Sequence, residues 1–269
     1  LEHGVDADLK GRFTSLNRRN VSAFCKKLGV SENVFFLTAY NLSIGLFSNE
    51  KDTVSSSIHS GRTDSRWNRL AGPLFLTYFF RNKEGVDQTV PELLKANATQ
   101  IMDTMRCYIS NLHADEMFFQ YQGDILNIDT VGGYPAERQR MQLDSLPFHL
   151  QVFTDAKGYY YELRYWENRF DTRQLQDFLT VMESLMDAMQ EETLVRRLSR
   201  RLPDRLFPLH YTVTVEELNQ AAKCQLVTGV DGKEPVKVYV FDENCRKKPF
   251  GAWGELYVMD CKPEQVLDE

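Results

Sequence analysis

The stretch HSGRTDSRWNRLAGPLFLTYFFRNK, residues 59–83, decides how the chain is read. Four charged side chains (Arg62, Asp64, Arg66 and Arg69) occupy a polar segment, and a run of large apolar residues follows, closed by Arg81. A continuous apolar run of this length reads as a strand over 72–81, buried on both faces of a sheet. Upstream, DTVSSSIHS (52–60) is β-branched and small and reads as a second strand. The polar segment between them is then a loop, the place where binding and catalytic side chains concentrate.

Working outward, the pattern alternates helices with strands. GRFTSLN (11–17) reads as a short strand. A first helix follows, with Asn20 as its expected N-cap and Gly29 as its stop. Ser31 opens a second, and ENVFFLTAYNLSIGLF is apolar nearly all round, the mark of a buried helix. From Thr89 a long amphipathic helix carries Pro91 in its first turn, with Leu94, Ile101, Met105, Tyr108 and Leu112 spaced to face a sheet. EMFFQYQG (116–123) reads as a strand and 124–145 as a loop marked by Gly132, Gly133 and Pro135. LPFHLQVF and YYYELRYW flank TDAKG and predict a hairpin. Asp171 then caps a helix striped with Leu175, Phe178, Met182, Leu185 and Met189. The pattern predicts a mixed α/β (α+β) fold, a sheet covered by helices, over residues 1–195. Arg-rich residues 196–210 read as a linker, and 211–269 as a small β-rich piece.

Composition narrows the function. The chain has 269 residues, 42% hydrophobic and 26% charged, with a formal net charge of −6. An acidic surface disfavours nucleic acid as a partner. The longest apolar run, PLFLTYFF, falls far short of the roughly 20 residues of a membrane helix. Five cysteines with no CxxC pair suggest neither a disulfide framework nor a zinc site, and fit a reducing, cytoplasmic setting. Cys107 reads as a buried small hydrophobe rather than a nucleophile. There is no GxGxxG, P-loop, GxSxG or HExxH. His113, near Asp115 and Glu116, reads as a helix-end residue, and His149 as a histidine on the polar side of its strand. His59 stands out because it ends a strand beside Gly61-Arg62. The chain does not begin with Met, so a fragment of a longer protein is expected.

The order DTVSSSIHSGR, NRLAGPLFLTYFFR, FFQYQG and LPFHLQVF…GYYYELRYWENRFDTRQLQDFLTVMESLM resembles the C-terminal half of a condensation domain from non-ribosomal peptide synthetases, over about residues 9–192. Gly61-Arg62, Gly72 through Thr77 to Arg81, Tyr165 and Phe170 occupy the places of that family's motifs. The resemblance implies one half of a chloramphenicol acetyltransferase-like fold. It implies a tunnel wall with Ser57, His59, Arg62, Leu76 and Tyr78 as candidate lining residues, Arg62 serving equally well as a cleft-spanning ion pair. The catalytic HHxxxDG motif belongs to the N-terminal half of such domains, and no HH pair occurs here. No catalytic residue is therefore assigned. No metal or directly bound cofactor is implied; phosphopantetheine would arrive on carrier proteins. The implied partners are carrier domains, the missing N-terminal lobe and an adenylation domain.

Two departures stand out. Leu76 takes a place where the family usually carries Asn, and the His-Gln-Asp motif is not recognisable. In the tail, VYVFDENCRKKPFGAWGELYV resembles the late part of an adenylation domain through Gly251, Gly254, Glu255, Leu256 and Tyr257, but Met259-Asp260 replaces a glycine pair and the phosphate-binding loop is absent. Two other readings remain: a non-catalytic platform for carrier proteins, favoured by Leu76, and a coenzyme A-dependent acyltransferase relative.

Overall fold

Six strands form one mixed sheet. The computed structural model describes residues 4–60, 66, 74–85, 87–106, 117–123, 130–131, 134–135, 146–191, 194–206, 211–222, 231–233, 235–241, 248–249 and 252–259. They divide into two compact units, Leu1–Gly45 with Lys51–Leu202, and Leu46–Glu50 with Pro203–Glu269.

In the larger unit the elements run β1 (Asp6–Phe13), α1 (Arg18–Leu28), α2 (Glu32–Ser48, its last turn assigned to the smaller unit), β2 (Asp52–His59), β3 (Leu76–Lys83), α3 (Val90–Arg106), β4 (Met117–Gly123), β5 (Thr130–Val131), β6 (Tyr134–Pro135), β7 (Phe148–Asp155), β8 (Gly158–Trp166) and α4 (Thr172–Glu191). The six-stranded sheet has the order β1-β8-β7-β4-β2-β3. β4 lies parallel to β2 and to β7, and the remaining pairs are antiparallel. β5 and β6 make a separate two-stranded ribbon.

Local chemistry explains most boundaries. Thr89 and Glu92 form a reciprocal capping box at the start of α3, each accepting from the other's backbone N–H. Asp171 accepts from the Gln174 N–H and opens α4. Gly29 ends α1 with φ 72°, a left-handed conformation that a side chain would strain. The N-cap of α1 is Asn17 rather than Asn20: its side chain accepts from the backbone of Arg19 and Asn20, so the helix begins three residues earlier than expected. The β7–β8 hairpin is tighter than TDAKG suggested. Asp155 pairs with Gly158, leaving Ala156-Lys157 as the turn, and Gly158 takes the positive φ.

Strand β3 corrects the opening expectation. It starts at Leu76 and lies at the sheet edge, not buried on both faces. Tyr78, Phe80 and Asn82 are buried on one side, while Arg81 on the other is exposed. Arg81 grips Asp52 of the neighbouring strand with two side-chain hydrogen bonds, at 2.7 and 2.5 Å.

The helices cover the face that carries the apolar side chains of β1, β4, β7 and β8 and the small polar ones of β2. Helix α2 lies at the centre. Phe36 meets Tyr121 and Tyr159, and Tyr40 meets Phe119, Phe148 and Phe178 of α4. Several polar groups in the layer are paired: Asn41 donates to Ser55 and to the Leu37 carbonyl, and Asn97 of α3 donates to Thr38 and Asn82. Glu32 accepts from Tyr121 at 2.5 Å and Tyr159 at 3.0 Å, fixing the start of α2 to β4 and β8.

Residues 195–201, expected within or beside a linker, form a 3₁₀ turn with Val195 and Leu198 buried, and the Val195 N–H donates to the Gln88 carbonyl. The smaller unit holds β9 (Tyr211–Thr214), α5 (Val215–Ala222), β10 (Pro235–Phe241) and β11 (Glu255–Met259), with the antiparallel sheet order β11-β10-β9. Val215, Leu218, Val236 and Val238 make its core. A Cβ at Gly254 would strike the Phe241 carbonyl oxygen, so glycine is required there. Among the described residues, no helix is long and apolar enough to cross a membrane.

Two stability outcomes follow. Phe119→Ala empties the middle of the sheet and is expected to cost about 3–5 kcal/mol in urea unfolding. Tyr159→Phe removes one donor from the Glu32 carboxylate and is expected to cost about 1–3 kcal/mol by the same measurement.

Candidate functional site

Antiparallel pairing of β2 with β3 brings four of the five candidate residues together. Ser57 lies opposite Tyr78, and His59 opposite Leu76. All four project to the helix-covered face, because residues two apart on a strand share a side and Ser55, on the same side, bonds Asn41 of α2. Arg62 lies outside the described residues, as do Gly61, Gly72, Cys107, His113 and Gly251.

Depth separates the four. His59 and Leu76 are partly exposed at the strand end that borders the polar segment. One pair further in, Ser57 and Tyr78 are buried, at 1% and 4% exposure. The Ser57 Oγ and Tyr78 Oη atoms have no hydrogen-bond partner. Burial raises the Tyr78 phenol above its usual value; Ser57 and Asn33 lie near enough to draw it back, although neither makes a hydrogen bond of normal geometry to it. Burial lowers the His59 imidazole, which favours its neutral form. The strand end presents an imidazole and an apolar side chain, with two hydroxyls one pair further in. It can hydrogen-bond a polar group and pack an apolar one. The Cys25 thiol is not a nucleophile here, since burial pushes it up to about 12. Among the described residues, no cluster of His, Cys, Asp and Glu could hold a metal ion.

The opposite face of the sheet carries a feature that the sequence did not reveal. His149 of β7 lies in register with Phe118 of β4 on one side and Arg164 of β8 on the other. Gln151 follows two residues later, between Gln120 and Glu162. The Gln151 side-chain amide donates to Gln120 at 2.9 Å. His149 meets the Phe118 ring edge to face at 4.8 Å. Three atoms in this row are sealed from solvent without a partner: His149 Nε2, Gln151 Oε1 and Arg164 Nε. Burial, aided by the Arg164 charge, lowers the His149 imidazole to about 4. The signal available in the sequence was the alternation of FHLQVF, which placed His149 on the polar side. What it lacked was the position of β7 deep inside the sheet.

Comparison with solved structures places the fold. A four-domain nonribosomal peptide synthetase bound to AMP and glycine matches at 14% identity and a TM-score of 0.57, over 70% of this chain and 17% of that one. The epimerization domain from the third module of tyrocidine synthetase B matches at 13% identity and 0.54, over 69% and 48%. A cyclization-docking bidomain from Sorangium cellulosum matches at 14% and 0.55, over 73% and 44%. The chain thus spans less than half the length of each of these three. No family model matches the sequence, and no curated protein does.

The low imidazole value has a consequence for stability. Unfolded His149 takes up a proton near pH 6.5, whereas the folded one resists until about pH 4. Stability is therefore full above pH 6.5 and declines as the pH falls from there to about 4. The loss is expected to be on the order of 2–3 kcal/mol, and His149→Asn should remove that part of the slope in urea unfolding between pH 7 and 4.5. The chain has the mixed α/β architecture of condensation, epimerization and cyclization domains.

Proposed function

We propose that residues 1–195 are the C-terminal lobe of a condensation domain within a longer non-ribosomal peptide synthetase. Residues 196–210 then connect it to 211–269, a β-rich piece related to an adenylation domain. One observation carries the reading: about 70% of this chain fits structures of which it spans less than half. The larger compact unit makes up a similar share of the chain. The motif order supports the C-terminal half specifically, and the lack of an HH pair agrees with it.

In the whole protein, the amine of one carrier-bound aminoacyl group attacks the thioester carbonyl of another. A C–N bond forms, the C–S bond breaks, and the thiol leaves with a proton. The histidine of the N-terminal lobe assists the proton transfer or orients the amine. Phosphopantetheine on carrier domains delivers both groups, in the cytoplasm. This lobe contributes the wall formed by Ser57, His59, Arg62, Leu76 and Tyr78, together with carrier-docking surface. Alone it does not form amides.

A second reading is a non-catalytic platform for carrier domains. Leu76 favours it: the side chain opposite His59 can neither donate nor accept a hydrogen bond. The two readings separate in one experiment. The native polypeptide is isolated from its own cells, its intact mass is measured, and it is supplied with two loaded carrier domains. The expected result is a mass well above 31.3 kDa, upstream peptides containing HHxxxDG, and an amide product by mass spectrometry. A native mass near 31.3 kDa overturns the lobe reading. A larger protein that binds both carriers without joining their cargo selects the platform.

A further inference from the structure

Strand β1 forms one edge of the six-stranded sheet, and among the described residues no strand lies beyond it. An edge strand offers a row of backbone N–H and C=O groups to another strand. The register shows which groups those are. The Glu167 N–H donates to the Val5 carbonyl, so Val5 and Glu167 form a hydrogen-bonded pair at the start of the β1–β8 ladder. Hydrogen-bonded and open pairs alternate along an antiparallel ladder. Ala7, Leu9 and Gly11 therefore turn their backbone groups to β8, and Asp6, Asp8, Lys10 and Arg12 turn theirs outward. The same four residues are exposed, while Ala7, Leu9 and Gly11 between them are only partly so. The opposite edge of the sheet differs: the Arg81 N–H of β3 already donates to the Gln100 side chain of α3.

The charges on the exposed face of β1 read Asp6, Asp8, Lys10, Arg12, an order complementary to its own reverse. An antiparallel copy with Leu9 opposite Leu9 sets each Asp6 against an Arg12 and each Asp8 against a Lys10. In that register the outward backbone groups also face one another and can close about eight hydrogen bonds. Moving the centre to Asp8 or to Lys10 sets like charges opposite each other, which is destabilising. The existing neighbours continue the pattern. Lys10 reaches Glu162 of β8 at 3.7 Å, and Asp8 lies in register with Arg164. Signs then alternate across the joint, from Glu162 and Lys10 of one copy to Asp8 and Arg164 of the other. Charges that only protect an edge from aggregation need no such order, and a single sign would serve better. We propose that β1 is a two-fold interface through which two copies of this chain join their six-stranded sheets. Each copy contributes the same strand, so the interface is self-complementary. One strand edge buries little surface, and the association is accordingly weak, in the micromolar range. The proposal needs only this chain and does not rest on the condensation reading.

Sedimentation equilibrium of the full chain tests it. The mass is expected to rise from 31.3 kDa toward twice that value as the concentration passes through about 100 µM. Two variants separate β1 from every other surface. Asp6→Lys with Asp8→Lys makes all four positions basic, and Lys10→Glu with Arg12→Glu makes all four acidic. Each variant alone is expected to self-associate at least about tenfold more weakly than the unaltered chain. An equimolar mixture of the two sets opposite signs against each other at every pair, and is expected to recover the original affinity within about threefold. Arg12→Glu also gives up the pair with Asp155, which is solvent-accessible and contributes little to stability. A single-chain mass throughout overturns the proposal. So does self-association unchanged in either variant, or a mixture that associates no more tightly than its components. Should a variant fail to fold, amide hydrogen exchange on the unaltered chain decides. The Asp8, Lys10 and Arg12 amides are expected to gain protection as concentration rises, and exchange independent of concentration overturns the pairing.

Discussion

The seat of α2 on the middle of the sheet is the constraint from which the rest follows. Its aromatic side chains reach β4, β7, β8 and α4, so four elements are positioned by one helix. Apolar packing supplies the energy but tolerates sliding. Polar contacts set the register. The Glu32 carboxylate ties one end of α2 to two strands, and Asn41 locks its middle to Ser55 of β2. A shift of α2 by one residue would strand these groups without partners, at a cost of about 1–3 kcal/mol each. The end of the β2–β3 pair inherits its geometry from that lock, since Ser55 and Ser57 share a strand face.

What the sequence made legible was what local chemistry decides. The α3 and α4 caps, the Gly29 stop and the β7–β8 hairpin each rest on side chains within a few residues of one another. The juxtaposition of Ser57, His59, Leu76 and Tyr78 was within reach for the same reason, because two neighbouring strands pair directly. Strand β3 was misread because an apolar run does not reveal whether a strand lies at the centre or the edge. Arg81 was the available hint, as an exposed charge suits an edge. The N-cap of α1 slipped from Asn17 to Asn20 because both positions offer the same side chain, and only the chain's path after Phe13 chooses between them. Residues 195–201 were read from their arginines, whereas Val195 and Leu198 decide where they sit.

The row at His149 was illegible for a further reason. Its members come from β4, β7 and β8, and the parallel β4–β7 pairing that joins them spans a long stretch of sequence. A histidine on the polar side of a strand is ordinarily solvated. Here β4 and β8 flank the strand, and the His149 Nε2, Gln151 Oε1 and Arg164 Nε atoms are withdrawn from solvent on that side.

Both faces of the sheet carry buried polar atoms, some paired and some not. Under the helices, Asn41 pairs with Ser55 and Asn97 with Thr38, which specifies packing, while the Ser57 and Tyr78 hydroxyls stay unpaired. On the other face, His149 and Arg164 stand side by side with atoms unpaired, and the Arg164 charge opposes any proton on the ring. A fold that needed only stability would fill these positions with valine or leucine, at a gain of about 1–3 kcal/mol for each orphan removed. Strain of this kind persists where the surrounding structure is strong enough to hold it, and the aromatic layer around α2 provides that strength.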